Sequence, residues 1–167
     1  MKFFKVLGGV LAVGAVVIGG VLLYDASTDH PYTVSYIVDG DTLDVEHRGD
    51  TIRVRLLNVD TPELARFGNP TECMAEEATA FLEELLPIGT EVELQYDEER
   101  TDRYDRTLAA VFKDDVFVNA EIAAAGLGTA LVVGENDRFY PEVADAVAQA
   151  EAEGLGIHGV DENCTPL

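Results

Sequence analysis

Basic residues are scarce: the 167 residues carry 11 Lys+Arg against 32 Asp+Glu, a formal net charge of −21. Lysine occurs only as Lys2, Lys5 and Lys113. The first thirty residues hold Lys2, Lys5, Asp25 and Asp29, which leaves nine bases against thirty acids in the rest. There are two cysteines, Cys73 and Cys164, and no Cys-x-x-Cys, so zinc and iron–sulfur centres are not expected. The pair either forms a disulfide tying the C-terminal tail to the start of a helix or remains two thiols, and both readings stand at this point. None of His30, His47 and His158 lies in a motif, so histidine chemistry is not indicated. Internal repeats are lacking, and so is low complexity outside the N-terminus.

Charge of either sign is missing from Val6 to Tyr24. A spanning helix needs about 20 apolar residues, whereas a secretory core has about 7 to 15, so an uncleaved anchor is expected over a cleaved signal. No cysteine follows the run, which excludes a lipid-modified cysteine there. By the positive-inside rule Lys2 and Lys5 are expected to keep the N-terminus cytoplasmic and leave the domain outside the membrane, or secreted if the segment is cleaved. The expected organisation is a cytoplasmic stretch 1–5, an anchor or signal 6–24, a linker 25–31, a folded domain 32–158 and a tail 159–167.

Past the first thirty residues the acids run from Asp39 to Glu162 rather than forming one tail. Such a spread fits a halophile surface, because molar salt cuts the Debye length to roughly 3 Å and screens self-repulsion. The alternative is an acidic face that mimics nucleic acid or meets a basic partner. Regular apolar patterning argues against disorder despite the charge.

Five β-type runs are legible: Tyr32 to Val38, Leu43 to His47, Thr51 to Val59, Glu91 to Tyr96 and Thr107 to Phe112. Between the third and fourth, Met74, Ala78, Phe81, Leu82 and Leu85 recur at helical spacing, which predicts a helix over 73–86 stopped by Pro87 and Gly89. A short helix is expected over 118–125, with Gly126 at its left-handed C′ position, and a third from near Pro141 to Gly154. Five strands with a helix between the third and fourth is the order of an OB-fold barrel, so the fold class is α+β: a five-stranded barrel with about three helices behind one N-terminal membrane or signal helix.

The few bases are not scattered. Arg53, Arg55, Arg100, Arg103 and Arg106 fall in or beside Arg55-Leu56-Leu57-Asn58-Val59-Asp60-Thr61-Pro62-Glu63 and Arg100-Thr101-Asp102-Arg103-Tyr104-Asp105-Arg106, with Asp39-Gly40-Asp41-Thr42 upstream. Singly, each segment reads as a turn, a strand exit or a solvated loop. Arg55, however, stands in an apolar stretch where a buried unpaired charge costs several kcal/mol, roughly 2 to 7 or more, so it needs a partner or ligand. Together the segments offer carboxylates for a hard cation, a glutamate for a proton and arginines for a phosphate.

In composition and order these segments resemble the staphylococcal nuclease (thermonuclease) family, and the likeness runs from about Tyr36 to Gly156. The resemblance implies an OB-fold endonuclease that uses Ca²⁺ to hydrolyse DNA and RNA, leaving 3′-phosphate ends. It further implies Asp41 and Asp60 as metal carboxylates, Thr61 as a carbonyl ligand, Arg55 and Arg106 as phosphate-binding arginines and Glu63 as the catalytic glutamate. A monomer is expected.

Three departures stand out. Asp105 replaces the family's usual glycine, and Leu131, Val132, Val133 and Gly134 replace its base-stacking aromatics, which implies either weaker binding or a shift of that role to Tyr140 or Tyr104. Gly156-Ile157-His158 replaces a terminal Gly-x-Trp. The competing functional class is a non-catalytic OB-fold module that binds nucleic acid or calcium, for which Glu63 has no use. An acidic adhesion domain would leave all five charged site residues unexplained.

Overall fold

The structure, a computed structural model, describes residues 31–66, 68–161 and 164. The expected cytoplasmic stretch, the membrane segment and nearly all of the linker lie outside the described residues, as does most of the C-terminal tail. Among the described residues no helix is long and apolar enough to cross a membrane.

Strand β1 (Tyr32–Asp39) turns at Gly40 into β2 (Thr42–His47), which pairs antiparallel with β3 (Asp50–Leu56). Helix α1 (Ala75–Leu85) leads to β5 (Glu91–Gln95), which pairs with both β1 and β6 (Thr107–Lys113). A parallel pairing of β3 with β6, Arg55 opposite Leu108, closes β1, β2, β3, β5 and β6 into the expected five-stranded barrel. Two register shifts in β1, between Val34 and Tyr36 and between Ile37 and Asp39, mark the coiling that lets one strand serve two neighbours. Inward residues alternate along the strands, so Val34, Leu43, Val45, Val54, Leu56 and Val111 are buried.

Helix α1 covers one end of the barrel with Ala78, Leu82 and the following Leu86, while α2 (Val118–Ala124) contributes Val118 and Ile122. Helix α3 (Tyr140–Glu153) packs on α2 and adds Val143 and Val147. Gly126 adopts φ 71°, as a left-handed C′ residue should, and a Cβ there would strike the Leu155 carbonyl oxygen.

The third strand is shorter than its apolar run. Asn58, at φ 61°, turns the chain out of β3, and Val59–Asp60 forms a separate β4 paired with β8 (Thr129–Ala130). Helix α1 starts two residues later than its pattern, because Met74 sits at φ 67° and breaks the helical path. The two-residue strand β7 (Val116–Phe117) and a 3₁₀ turn over Gly156–Gly159 are further elements. Of the two readings of the cysteines, the disulfide holds: Cys73 and Cys164 are bonded, with Cα atoms 5.6 Å apart.

Candidate active site

Barrel closure assembles the site. Register places Thr42 opposite Arg55 across β2 and β3, and Arg55 opposite Leu108 across β3 and β6. The β1–β2 turn, the β3 exit and the loop before β6, which are far apart in sequence, therefore meet at one barrel end.

Gly40 is required here by space, since an added Cβ would lie 2.7 Å from both Ala78 Cβ and Thr61 Oγ1. That tight turn drives Asp41 inward, where it is 1% exposed. Its Oδ2 accepts the Thr61 backbone N–H at 2.9 Å and the Thr61 hydroxyl at 3.2 Å, and its Oδ1 accepts the Thr42 hydroxyl at 3.0 Å. Burial pushes the Asp41 carboxyl up to about 6; Arg55 opposes the shift and Asp39 adds to it. A buried carboxylate in that state favours a nearby cation.

Arg55 is the cation present. Its Nη2 lies 3.0 Å from Asp41 Oδ2 and 2.6 Å from Asp60 Oδ1, and its Nη1 donates to the Leu56 and Val59 carbonyls at 2.6 and 2.7 Å. The guanidinium thus joins a buried aspartate to one that is half exposed. The donors around it are carboxylate and backbone oxygens without histidine or cysteine, a hard set that suits Ca²⁺ or Mg²⁺ rather than zinc. Among the described residues no group of three or more His, Cys, Asp or Glu is gathered as a metal cluster, so the fit rests on the Asp41 and Asp60 carboxylates that share one positive charge.

A cleft of about 230 Å³ opens beside this pair, lined by Arg55, Asp60, Glu63, Asp102, Arg106 and apolar side chains that include Leu108 and Leu131. Asp41 and Thr61 are buried and do not line it. Glu63 sits on the rim, where desolvation and then Asp39 raise its pKa from the ordinary value, with Arg66 and Arg55 acting against them. A raised carboxylate is a better proton acceptor near neutral pH.

Arg106 is aimed by Asp102, whose Oδ2 takes the Arg106 Nε–H at 2.7 Å and whose Oδ1 takes the Arg106 and Tyr104 backbone N–H groups at 3.0 and 2.9 Å. Those bonds hold the Asp102 carboxyl below its usual value despite partial desolvation. Asp105 occupies φ 63° in this loop, the left-handed position where the resembling family has glycine. Tyr104, 64% exposed, lies under Arg103 and Arg106, with guanidinium carbons 4.7 and 5.6 Å from its ring centre.

Other arginines of the same segments go elsewhere. Arg53 forms a cross-strand pair with Asp44 at 2.8 Å, and Arg100 stacks on the Tyr96 ring at 4.4 Å. Tyr140 and the described histidines His47 and His158 do not line the cleft. Two participants escaped the sequence reading: Asp39, buried and bonded to Arg66 at 2.7 Å, and Asp102 as the partner of Arg106. The interleaving of Asp102 and Asp105 with three arginines in one short segment was the available signal for the second. For the first, only the duplicate aspartate of the turn hinted at a role.

The family described as staphylococcal nuclease homologue matches residues 53–158. A thermonuclease of Staphylococcus intermedius is 35% identical over 135 residues, 79% of this chain and 80% of that protein. A thermonuclease of Staphylococcus hyicus is 32% identical over 125 residues, 75% of this chain and 73% of its own length. The SPbeta prophage-derived endonuclease YokF of Bacillus subtilis (strain 168) is 32% identical over 127 residues, which span 75% of this chain but 43% of that protein. With the family match taking in β3 from Arg53, β5, β6, every residue of the cleft and the three helices, this chain belongs to the staphylococcal nuclease homologue family.

Proposed function

We propose that this chain is a calcium-dependent nuclease that hydrolyses phosphodiester bonds of DNA and RNA and leaves 3′-phosphate ends. The observation that carries the reading is the convergence of Arg55, Asp60, Glu63 and Arg106 on one cleft, from segments joined only by barrel closure. The thermonuclease and endonuclease names of the relatives support it.

In this mechanism Asp41, Asp60 and the Thr61 carbonyl would hold the cation, and bound Ca²⁺ would supply Lewis-acid chemistry there. Glu63 takes a water's proton as the oxygen bonds to phosphorus. The bond to the 5′ oxygen breaks, that oxygen gains a proton from solvent, and the phosphate stays on the 3′ side. Arg106 presents its free guanidinium edge to the phosphate, held in plane by Asp102. Arg55 turns N–H groups now spent on the two aspartates toward phosphate oxygens, where paired donors strengthen as charge builds on the five-coordinate phosphorus.

The test is cleavage of labelled DNA and RNA by the full chain with calcium or with chelator. Glu63→Gln and Arg106→Ala should each lower turnover by at least about a hundredfold with the fold retained, as loss of one group aimed at a transition state does. Asp60→Ala should weaken calcium binding in calorimetry. Wild-type rates in both turnover variants, or calcium binding unchanged in Asp60→Ala, would overturn the assignment.

A further inference from the structure

The loop that carries Glu63 leaves the barrel at Pro62 and returns at Cys73, and its two ends hold each other. Glu72 N–H donates to the Glu63 carbonyl at 2.9 Å, and Glu63 N–H donates to Glu72 Oε2 at 3.0 Å. Within the loop Ala65 N–H reaches Thr71 Oγ1 at 3.2 Å and Asn69 N–H reaches the Arg66 carbonyl at 2.9 Å. The position of Glu63 is therefore tied to that of Glu72.

The following helix touches Glu72 through its first residue, Ala75, whose N–H donates to the Glu72 carbonyl at 3.2 Å, and a covalent tie adjoins it. Met74, at φ 67°, interrupts the helical path, and α1 begins only at Ala75. Between Glu72 and Met74 stands Cys73, bonded to Cys164 across 91 positions of sequence. Beyond α3, the C-terminal segment is itself seated on the end of α2, since Ile157 N–H donates to the Gly126 carbonyl at 2.9 Å. A covalent and hydrogen-bonded line thus runs from Cys164 through Cys73 and Glu72 to Glu63.

We propose that Glu72 and the Cys73–Cys164 disulfide form a brace that positions Glu63, and that reduction of this bond loosens the brace and slows cleavage. Glu72 is a positioning residue: its carboxylate meets the Glu63 backbone, not the cleft. Both cysteines are partly exposed, so a small dithiol can reach them. The step is a two-electron exchange in which the Cys73–Cys164 bond breaks, each sulfur gains an electron and a proton, and the dithiol closes into its own disulfide. Arg66 still ties the loop to Asp39 at 2.7 Å, so the loop stays attached while Glu63 loses its setting.

The inference rests on the nuclease reading for its consequence, and the experiment separates the two. Amide hydrogen exchange is followed in the full chain with and without dithiothreitol. The Glu63 and Glu72 amides should exchange at least about tenfold faster on reduction, while barrel amides such as Val111 stay protected. In parallel, turnover on labelled DNA should fall by about tenfold to a hundredfold with KM unchanged, the scale of a misplaced catalytic group, and recover on reoxidation. The double variant Cys73→Ser with Cys164→Ser should show the same loss and ignore the reductant. Glu72→Gln, which keeps the acceptor oxygen, should retain turnover that Glu72→Ala loses. Equal exchange in both redox states, or a rise shared by the barrel amides, overturns the brace. A loop that responds in a protein with no cleavage in either state leaves the brace standing and overturns the nuclease reading.

Discussion

At Asp105 the backbone has a conformation that its side chain does not favour. Residues 102–106 make a tight loop in which Asp105 N–H donates to the Asp102 carbonyl and Asp102 N–H donates to the Arg106 carbonyl, both at 3.1 Å. The turn is followed by a left-handed residue, a slot that glycine fills without strain. Aspartate tolerates it better than most residues but adds a negative charge beside an arginine meant for phosphate. Asp105→Gly should therefore stabilise the protein by about 0.5 to 1 kcal/mol, the relief of left-handed strain less the entropy that glycine gives the unfolded chain. It should also lower KM for DNA. A urea midpoint that falls instead would mean that the carboxylate makes an interaction more valuable than the strain it causes.

Among the elements, α2 does more than cover the barrel. Its Asn119 is fully buried; its Oδ1 accepts the Val111 N–H of β6 at 3.0 Å and its Nδ2 donates to the Leu57 carbonyl at 2.8 Å. One amide thereby pins β6 to the point where the chain leaves β3, one residue before Asn58 swings it toward Asp60. Asn119→Ala leaves a buried N–H and a buried carbonyl without partners, so it should destabilise by about 2 to 4 kcal/mol. Asn119→Asp keeps the acceptor and loses the donor, so urea unfolding at fixed salt should rank its loss against that of alanine. A loss below about 0.5 kcal/mol for Asn119→Ala, the range of ordinary surface changes, would show that the bridge is not needed.

The whole molecule must fold, and meet a polyanion, under a formal net charge of −21. Two effects of salt oppose each other. Contacts from a few arginines to phosphate weaken with a log–log slope of about −0.9 per phosphate neutralised. Self-repulsion and repulsion of nucleic acid both weaken as well, because the Debye length shrinks to roughly 3 Å at 1 M. With Arg55 and Arg106 as the cleft's cations against so many surface carboxylates, screening should win. Cleavage is expected to rise with KCl into the molar range, and circular dichroism to show folding over the same interval. A maximum below about 0.2 M in a fully folded protein would leave the acidic surface to be explained by a partner.

Read alone, the sequence determined what depends on near neighbours. Strand and helix types followed from periodicity, helix ends from Gly89, Gly126 and Gly154, and the reactive segments from their residue content. The tolerance of aspartate for a left-handed turn was legible at Asp105 for the same reason. Tertiary structure decided what depends on distant partners. Arg53 and Arg55 lie two residues apart in one strand and look alike in sequence, yet one ends on Asp44 and the other between Asp41 and Asp60. The difference comes from the chain folding back after Asn58 to set β4 beside Arg55, a pairing with β8 that no local pattern encodes. The disulfide was open for the same physical reason: bond formation needs two Cα atoms within a few ångströms, and only the closed barrel with its seated C-terminal segment brings Cys164 to Cys73.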